Sequence, residues 1–175
     1  MSVFVCFGTQ HNFKSWLIRK VTASPYSHAW VEYDSSMWSM RMVVHAQPTG
    51  IMIETAANVH KEYIIKKRYR FIHVGAERGL KRCKKYLGKP YDFKAVLTNG
   101  LLLVLYRLIP IKRFQDWLWS KTVKDHSKYS CTEFAALMMK NSGYVKARGL
   151  DEETVTPGEL AAFCQSSAAF TEEKV

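Results

Sequence analysis

The chain has 175 residues, of which 47% are hydrophobic and 23% are charged. This balance fits one globular domain with a sizeable core, and it excludes an intrinsically disordered chain. Lysine and arginine number 26 against 15 aspartate and glutamate, giving a formal net charge of +11. Such a charge attracts an anionic cell-envelope polymer or membrane surface, unless it only forms a solvated basic face. No nucleic-acid-binding motif accompanies it, so no specific nucleic acid is predicted.

In chain order, the first half of the sequence predicts mainly β-structure. Alternating and β-branched residues predict a strand over 3–7, and apolar residues at helical spacing predict a helix over 13–21. An antiparallel meander is then predicted, with strands at 28–33, 40–46, 51–53 and 62–70.

The second half of the sequence predicts helices. They are expected over 77–87, 91–108, 111–121, 131–141 and 156–165. The domain is predicted to span 1–165, with 166–175 as a flexible tail. The apolar stretch 95–111 has 17 residues, fewer than the about 20 that a membrane-spanning helix needs. A buried or interfacial helix is expected there, and peripheral membrane contact through 95–119 is left open.

The four cysteines, at positions 6, 83, 131 and 164, show neither a CxxC pair nor the spacing of a disulfide framework. We therefore expect free thiols and a chemistry that needs no metal and no organic cofactor. The apolar run at 3–7 is too short for the core of a signal peptide. A cytoplasmic location is expected, and delivery to the envelope by another route is left open.

Cys131 has the sharpest local chemistry. Ser130 and Glu133 form a capping box, which predicts that a helix begins at Cys131. Unpaired N–H groups at a helix N-terminus stabilise a thiolate and can also donate to a developing oxyanion. A cysteine nucleophile is one interpretation, and a buried structural cysteine is the other.

Two histidines could serve such a nucleophile. His28 opens one predicted strand and His45 closes the next. Because antiparallel neighbours place the start of one strand beside the end of the other, we expect the two imidazoles side by side. His28 is then the candidate base and His45 its orienter, with Glu54 as an alternative orienter. Two solvent-facing strand histidines are the other interpretation.

Five segments together carry a family resemblance. They are 24–31 (SPYSHAWV), 43–51 (VVHAQPTGI), 88–93 (GKPYDF), 129–134 (YSCTEF) and 156–160 (TPGEL). Their content and order resemble those of circularly permuted NlpC-type enzymes, a branch of the papain-like cysteine peptidase and amidase superfamily. The related lecithin:retinol acyltransferase-like enzymes share the order His, His, Cys. The resemblance implies an α+β, permuted papain-like fold, with an antiparallel sheet packed against the nucleophile helix and further helices.

The resemblance also implies a function. It predicts a thiol hydrolase that cleaves an amide, with a cell-wall peptide as one candidate, through a Cys131–His28–His45 triad and a thioester. A thiolate–imidazolium pair is expected, with Tyr91 and Ser130 near the oxyanion or pocket. Tyr91 could instead only fix the entry to the helix. The alternatives are a lipid-directed thiol esterase or acyltransferase, and a catalytically inactive binding module of the same fold.

Overall fold

A computed structural model describes residues 1–92, 127–152 and 154–175, together with the single positions 98, 102 and 117. Within these ranges the fold is α+β, as predicted, with six strands and five α-helices. The predicted helices over 91–108 and 111–121, and the proposed membrane contact over 95–119, lie almost entirely outside the described residues. Among the described helices, none has the length and apolar character needed to cross a membrane.

One antiparallel sheet contains all the described strands. They are β1 (Val3–Thr9), β2 (His28–Ser35), β3 (Met40–Gln47), β4 (Gly50–Thr55), β5 (Ile64–Phe71) and β6 (Phe170–Glu173). Their order across the sheet is β4-β3-β2-β1-β5-β6. The predicted antiparallel neighbours β2, β3 and β4 are confirmed, and β1 separates β2 from β5.

Helices cover both faces of this sheet. They are α1 (Phe13–Thr22), α2 (Ala56–Glu62), α3 (Ala76–Arg82), α4 (Cys131–Asn141) and α5 (Pro157–Ser166). Two 3-10 helices are also present, Cys83–Tyr86 and Val145–Gly149. Because side chains alternate along a strand, β2 contributes to two separate cores. Ala29 and Val31 pack on the side of α4, whereas Trp30 packs on the side of α2.

Three predicted elements differ from the observed ones. Residues 56–62 form helix α2, whose first turn is capped by the Thr55 side chain, so the following strand begins at Ile64. In place of the single helix predicted over 77–87, α3 ends at Arg82 and the 3-10 helix Cys83–Tyr86 follows it. The segment 166–175 is not a free tail, because it includes β6, which pairs with β5. Phe170 there stacks on Phe71 with ring centroids 4.7 Å apart.

Helix α1 forms where predicted, but the two aromatic side chains at its start do not lie on its buried face. Phe13 is 71% exposed and Trp16 is 46% exposed, while Ser15 is buried. The helix is anchored by polar contacts instead: Asn12 caps it, and the Ser15 hydroxyl lies 2.6 Å from that of Ser27. Helical periodicity therefore predicted the element but not the side that packs.

Candidate functional site

The capping box places Cys131 at the start of α4, as predicted. The backbone N–H of Glu133 donates to the Ser130 hydroxyl at 3.1 Å, and the Glu133 carboxylate accepts from the backbone N–H of Ser130 at 3.1 Å. These bonds satisfy donors that a helix N-terminus otherwise leaves free. The Ser130 hydroxyl only accepts in this cap, and its oxygen also lies 3.2 Å from that of Thr132. The oxyanion or pocket role of Ser130 stays a prediction, because the cap does not use the O–H that would donate.

A short parallel bridge brings Tyr91 to the nucleophile helix. The N–H of Tyr129 donates to the Pro90 carbonyl at 3.1 Å, and the N–H of Asp92 donates to the Tyr129 carbonyl at 3.2 Å. The bridge fixes the entry to α4, and the nearby Tyr91 hydroxyl lowers the pKa of the Cys131 thiol as a hydrogen-bond donor does. The bridge gives the helix-entry role of Tyr91 a structural basis, and its oxyanion or pocket role stays a prediction.

Backbone N–H groups also point toward the Cys131 sulfur. They belong to Ala29, Cys131 and Thr132. The N–H of Ala29 is notable because the residue follows His28 directly, so this contact brings the start of β2 to the thiol. The ladder between β2 and β3 begins only at Val31, two residues further on.

The pKa of Cys131 is raised, contrary to the expectation for a helix N-terminus. The side chain is only 5% exposed, and burial is the largest influence on it. The surrounding N–H groups and the Tyr91 hydroxyl lower the pKa but offset only part of that effect. Desolvation disfavours the charged thiolate more than these donors favour it, so the resting group is a neutral thiol.

The two strand histidines lie side by side, as predicted. The Nε2 atom of His28 lies 3.3 Å from Nδ1 of His45. The Nε2 atom of His45 in turn lies 3.0 Å from a carboxylate oxygen of Glu54. Glu54 therefore contacts His45 and not His28, so it extends the row of polar groups instead of replacing His45 in it.

Hydrogen-bonding roles along this row fix the tautomers. An ionised carboxylate can only accept hydrogen bonds. Nε2 of His45 therefore carries a hydrogen and donates it in the hydrogen bond to Glu54. Gln47 also lies 3.1 Å from that nitrogen, and rotating its amide by 180° turns an acceptor oxygen toward it. Nδ1 of His45 is then an acceptor, and Nε2–H of His28 donates to it. This leaves Nδ1 of His28 unprotonated, with a lone pair available for a proton.

Both imidazoles are neutral at rest. Burial lowers the pKa of His28 well below its ordinary value, and neighbouring His45 lowers it further. Burial also lowers the pKa of His45, although Glu54 opposes part of that effect. Together with the raised pKa of Cys131, these shifts favour a neutral thiol and neutral imidazoles at rest. The expected resting thiolate–imidazolium pair is therefore not what the structure favours.

Aromatic contacts to His28 were not foreseen from the sequence. The ring of Tyr63 stacks on His28 with centroids 4.7 Å apart, and Trp30 stacks on it at 5.7 Å. Trp30 could have been identified, because it is the next residue on the same face of β2. Tyr63 could not be placed without α2, the helix that ends immediately before it.

Among the described residues, no group of three or more histidine, cysteine, aspartate or glutamate side chains could hold a metal ion. The site thus consists of the thiol of Cys131, the row His28–His45–Glu54 and the hydroxyl of Tyr91. Comparison of the chain with protein-family models and with curated proteins found no match.

Proposed function

We propose that the chain is a thiol hydrolase of the permuted papain-like type, with Cys131 as nucleophile and His28 as general base. The arrangement of the groups around the thiol carries the proposal. A row of hydrogen-bonded side chains runs from Glu54 through His45 to His28. The backbone N–H of Ala29, the residue after His28, points at the Cys131 sulfur. A nucleophile, a base and a group that orients the base are the parts that covalent catalysis requires.

The first half of the reaction forms a thioester. Nδ1 of His28 takes the proton of the Cys131 thiol as the sulfur attacks the substrate carbonyl, and the new S–C bond moves an electron pair onto the carbonyl oxygen. N–H groups at the start of α4 and the Tyr91 hydroxyl stabilise that oxyanion. His28 then gives its proton to the leaving amine as the C–N bond breaks.

The second half returns the enzyme to rest. His28 removes a proton from water, which attacks the thioester carbonyl, and the C–S bond breaks to release a carboxylic acid. Protonated His28 returns its proton to the departing sulfur. In both halves His28 becomes positively charged for a moment, and His45 with Glu54 stabilises that charge through their hydrogen bonds.

An amide in an anionic cell-envelope peptide is the substrate class that the net charge of +11 favours. A second candidate, a lipid-directed thiol esterase or acyltransferase, is favoured by an apolar cavity of about 240 Å³. Val44 and Phe134 contribute to its wall, but Cys131, His28 and His45 are not among the residues that line it. An acyl chain held there would have to reach the thiol along α4, in which Phe134 lies one turn after Cys131. Lys81 and Lys84 also line the cavity, where they could meet an anionic head group.

Intact-mass spectrometry after exposure to a panel of envelope peptides and phospholipid vesicles tests the proposal. We expect one acyl group to be added to Cys131, to be removed by hydroxylamine as a thioester is, and to be absent from Cys131→Ser. Peptide-derived adducts support the amidase, and fatty-acyl adducts support the lipid-directed enzyme. If no member of the panel acylates the folded protein, the inactive binding module replaces both.

A further inference from the structure

A buried carboxylate lies on the same strand as His28 but outside the site described above. Glu32 is fully buried and accepts from the indole N–H of Trp30 at 2.9 Å. The same oxygen lies 2.7 Å from Nε2 of His60, and the other oxygen lies 3.2 Å from the guanidinium of Arg68. Arg41 of β3 lies further away, 3.9 Å from that second oxygen. The carboxylate therefore joins residues of four elements, β2, α2, β5 and β3, at one buried point.

The first route from Glu32 to His28 runs along β2. His28, Trp30 and Glu32 are alternate residues of the strand, so they share one face. The indole of Trp30 stacks on the His28 ring with an interplanar angle of 27°. It also lies over Gly8, where a Cβ would come within 2.7 Å of the ring. Glu32 thus holds one edge of an indole whose face contacts His28.

The second route runs through α2. His60 lies in this helix, and its contact with Glu32 ties the helix to the sheet. Tyr63 follows the helix directly, and its backbone N–H donates to the Val59 carbonyl at 2.9 Å. The Tyr63 ring stacks on His28 with an interplanar angle of 25°. Both aromatic rings that contact His28 are therefore connected to the same carboxylate.

His28 needs such support. Its hydrogen bond to His45 is 3.3 Å long, beyond the usual range of about 2.7–3.2 Å. One long bond leaves the ring free to rotate about its own side-chain bonds, and the aromatic contacts oppose that rotation. The direction of Nδ1 then depends on how firmly Trp30 and Tyr63 are held.

We propose that Glu32 is a positioning residue for His28, acting through Trp30 along β2 and through His60 and Tyr63 from α2. The inference rests on the proposed function, because it assigns Glu32 to the support of the base in that reaction. Burying a carboxylate is costly, and pairing with Arg68 rarely makes such a group a net source of stability. Its placement is better explained by the orientation of the rings around His28.

The test uses variants that interrupt each route separately. Trp30→Phe keeps an aromatic ring but removes the donor to Glu32, whereas His60→Ala removes the tie to α2. The carboxylate is removed in the double variant Glu32→Leu/Arg68→Met. Leucine is used because a glutamine would keep an oxygen that accepts from Trp30 and His60, and Arg68 is replaced as well because it would otherwise be buried and unpaired. Glu172→Leu is the matched control, since this half-exposed carboxylate of β6 pairs with Lys67, which is not among the neighbours of Glu32.

Two measurements are made on each folded variant: the pH profile of Cys131 alkylation by iodoacetamide, and the ¹⁵N signals of the His28 ring. We expect the double variant and Trp30→Phe to slow alkylation at neutral pH by about tenfold to hundredfold, the range typical of a misplaced catalytic group. Their His28 signals should also move. His60→Ala should also slow alkylation, and His60→Gln, which retains a donor for Glu32, should restore much of the lost rate. Glu172→Leu should match the wild type.

The two proposals fail in different ways. If Cys131 in the wild type reacts no faster than Cys83, the proposed function fails, but the His28 signals still test the positioning role. The positioning role is overturned if Trp30→Phe and the double variant fold and both match the wild type. The match must hold for the pH profile of Cys131 alkylation and for the ¹⁵N signals of the His28 ring. If only the thermal stability of these variants changes, Glu32 is purely structural and the inference is wrong.

Discussion

At the scale of single residues, the site combines a buried thiol with a buried base, and both are neutral at rest. Burial raises the pKa of Cys131 and lowers that of His28. Charge therefore develops during the reaction instead of being stored beforehand, and the surrounding groups must stabilise it when it appears. Glu54 is the group that faces this charge through His45.

Replacing Glu54 by glutamine should slow the acylation of Cys131 by about 10²-fold, the lower end of what a positioned acid–base group contributes. The amide removes the negative charge that stabilises a protonated His28, and it can also hold His45 in the wrong tautomer. Acylation rates followed by intact mass check this. Glu62→Gln is the matched control, because Glu62 acts on His45 electrostatically but has no hydrogen bond to it. Equal losses in the two variants would contradict the role given to the Glu54 hydrogen bond.

At the scale of elements, the features that neighbouring residues determine were predicted well, and those that depend on residues far along the chain were missed. The start of α4 was predicted correctly because the capping box that marks it spans only the four residues from Ser130 to Glu133. The contact between His28 and His45 was also predictable, because the turn between adjacent strands determines it. Helix α2 has only seven residues, and part of what holds it is the contact of His60 with Glu32, 28 residues earlier. Nothing in the local sequence carries that information.

Strand β6 was missed for the same reason. Its partner β5 lies about a hundred residues earlier in the chain, and the pairing joins Arg68 with Glu173 and Phe71 with Phe170. The raised pKa of Cys131 was likewise beyond the sequence, since burial causes it and burial depends on the whole fold. The local feature, a helix N-terminus, indicated the opposite direction.

The C-terminal strand should contribute measurably to stability. Phe170→Ala removes a buried ring stacked on Phe71, and we expect a loss of about 3 kcal/mol in the free energy of unfolding. Chemical denaturation measures it. Thr171→Ala, at the next and exposed position, should cost little. An unchanged unfolding midpoint for Phe170→Ala would show that β6 does not hold the sheet in solution.

At the scale of the whole molecule, the sheet separates two apolar cores, and the row His28–His45–Glu54 runs across strands β2, β3 and β4. The two buried histidines of this row make the stability of the fold depend on pH. The pKa values of His28 and His45 are lowered in the folded state, so the unfolded chain binds more protons once the pH falls below their ordinary value of 6.5. Stability is therefore fully present above that pH and is lost as the pH falls toward the lowered values.

We expect the free energy of unfolding to fall between pH 7 and pH 5 by at most about 1.4 kcal/mol per pH unit for each buried histidine. Denaturation at both pH values checks this. The double variant His28→Asn/His45→Asn should show a smaller drop, while the exposed His11→Asn should retain the full one. A drop of equal size in all three proteins would place the pH dependence elsewhere in the molecule.

The most direct test of the central claim is competitive alkylation of the four cysteines with iodoacetamide at neutral pH, quantified peptide by peptide. If His28 removes the proton from Cys131, this thiol should react at least about tenfold faster than Cys6, Cys83 and Cys164, and His28→Ala should remove most of the difference. Reaction of Cys131 no faster than the others, or at a rate that His28→Ala leaves unchanged, would contradict the account.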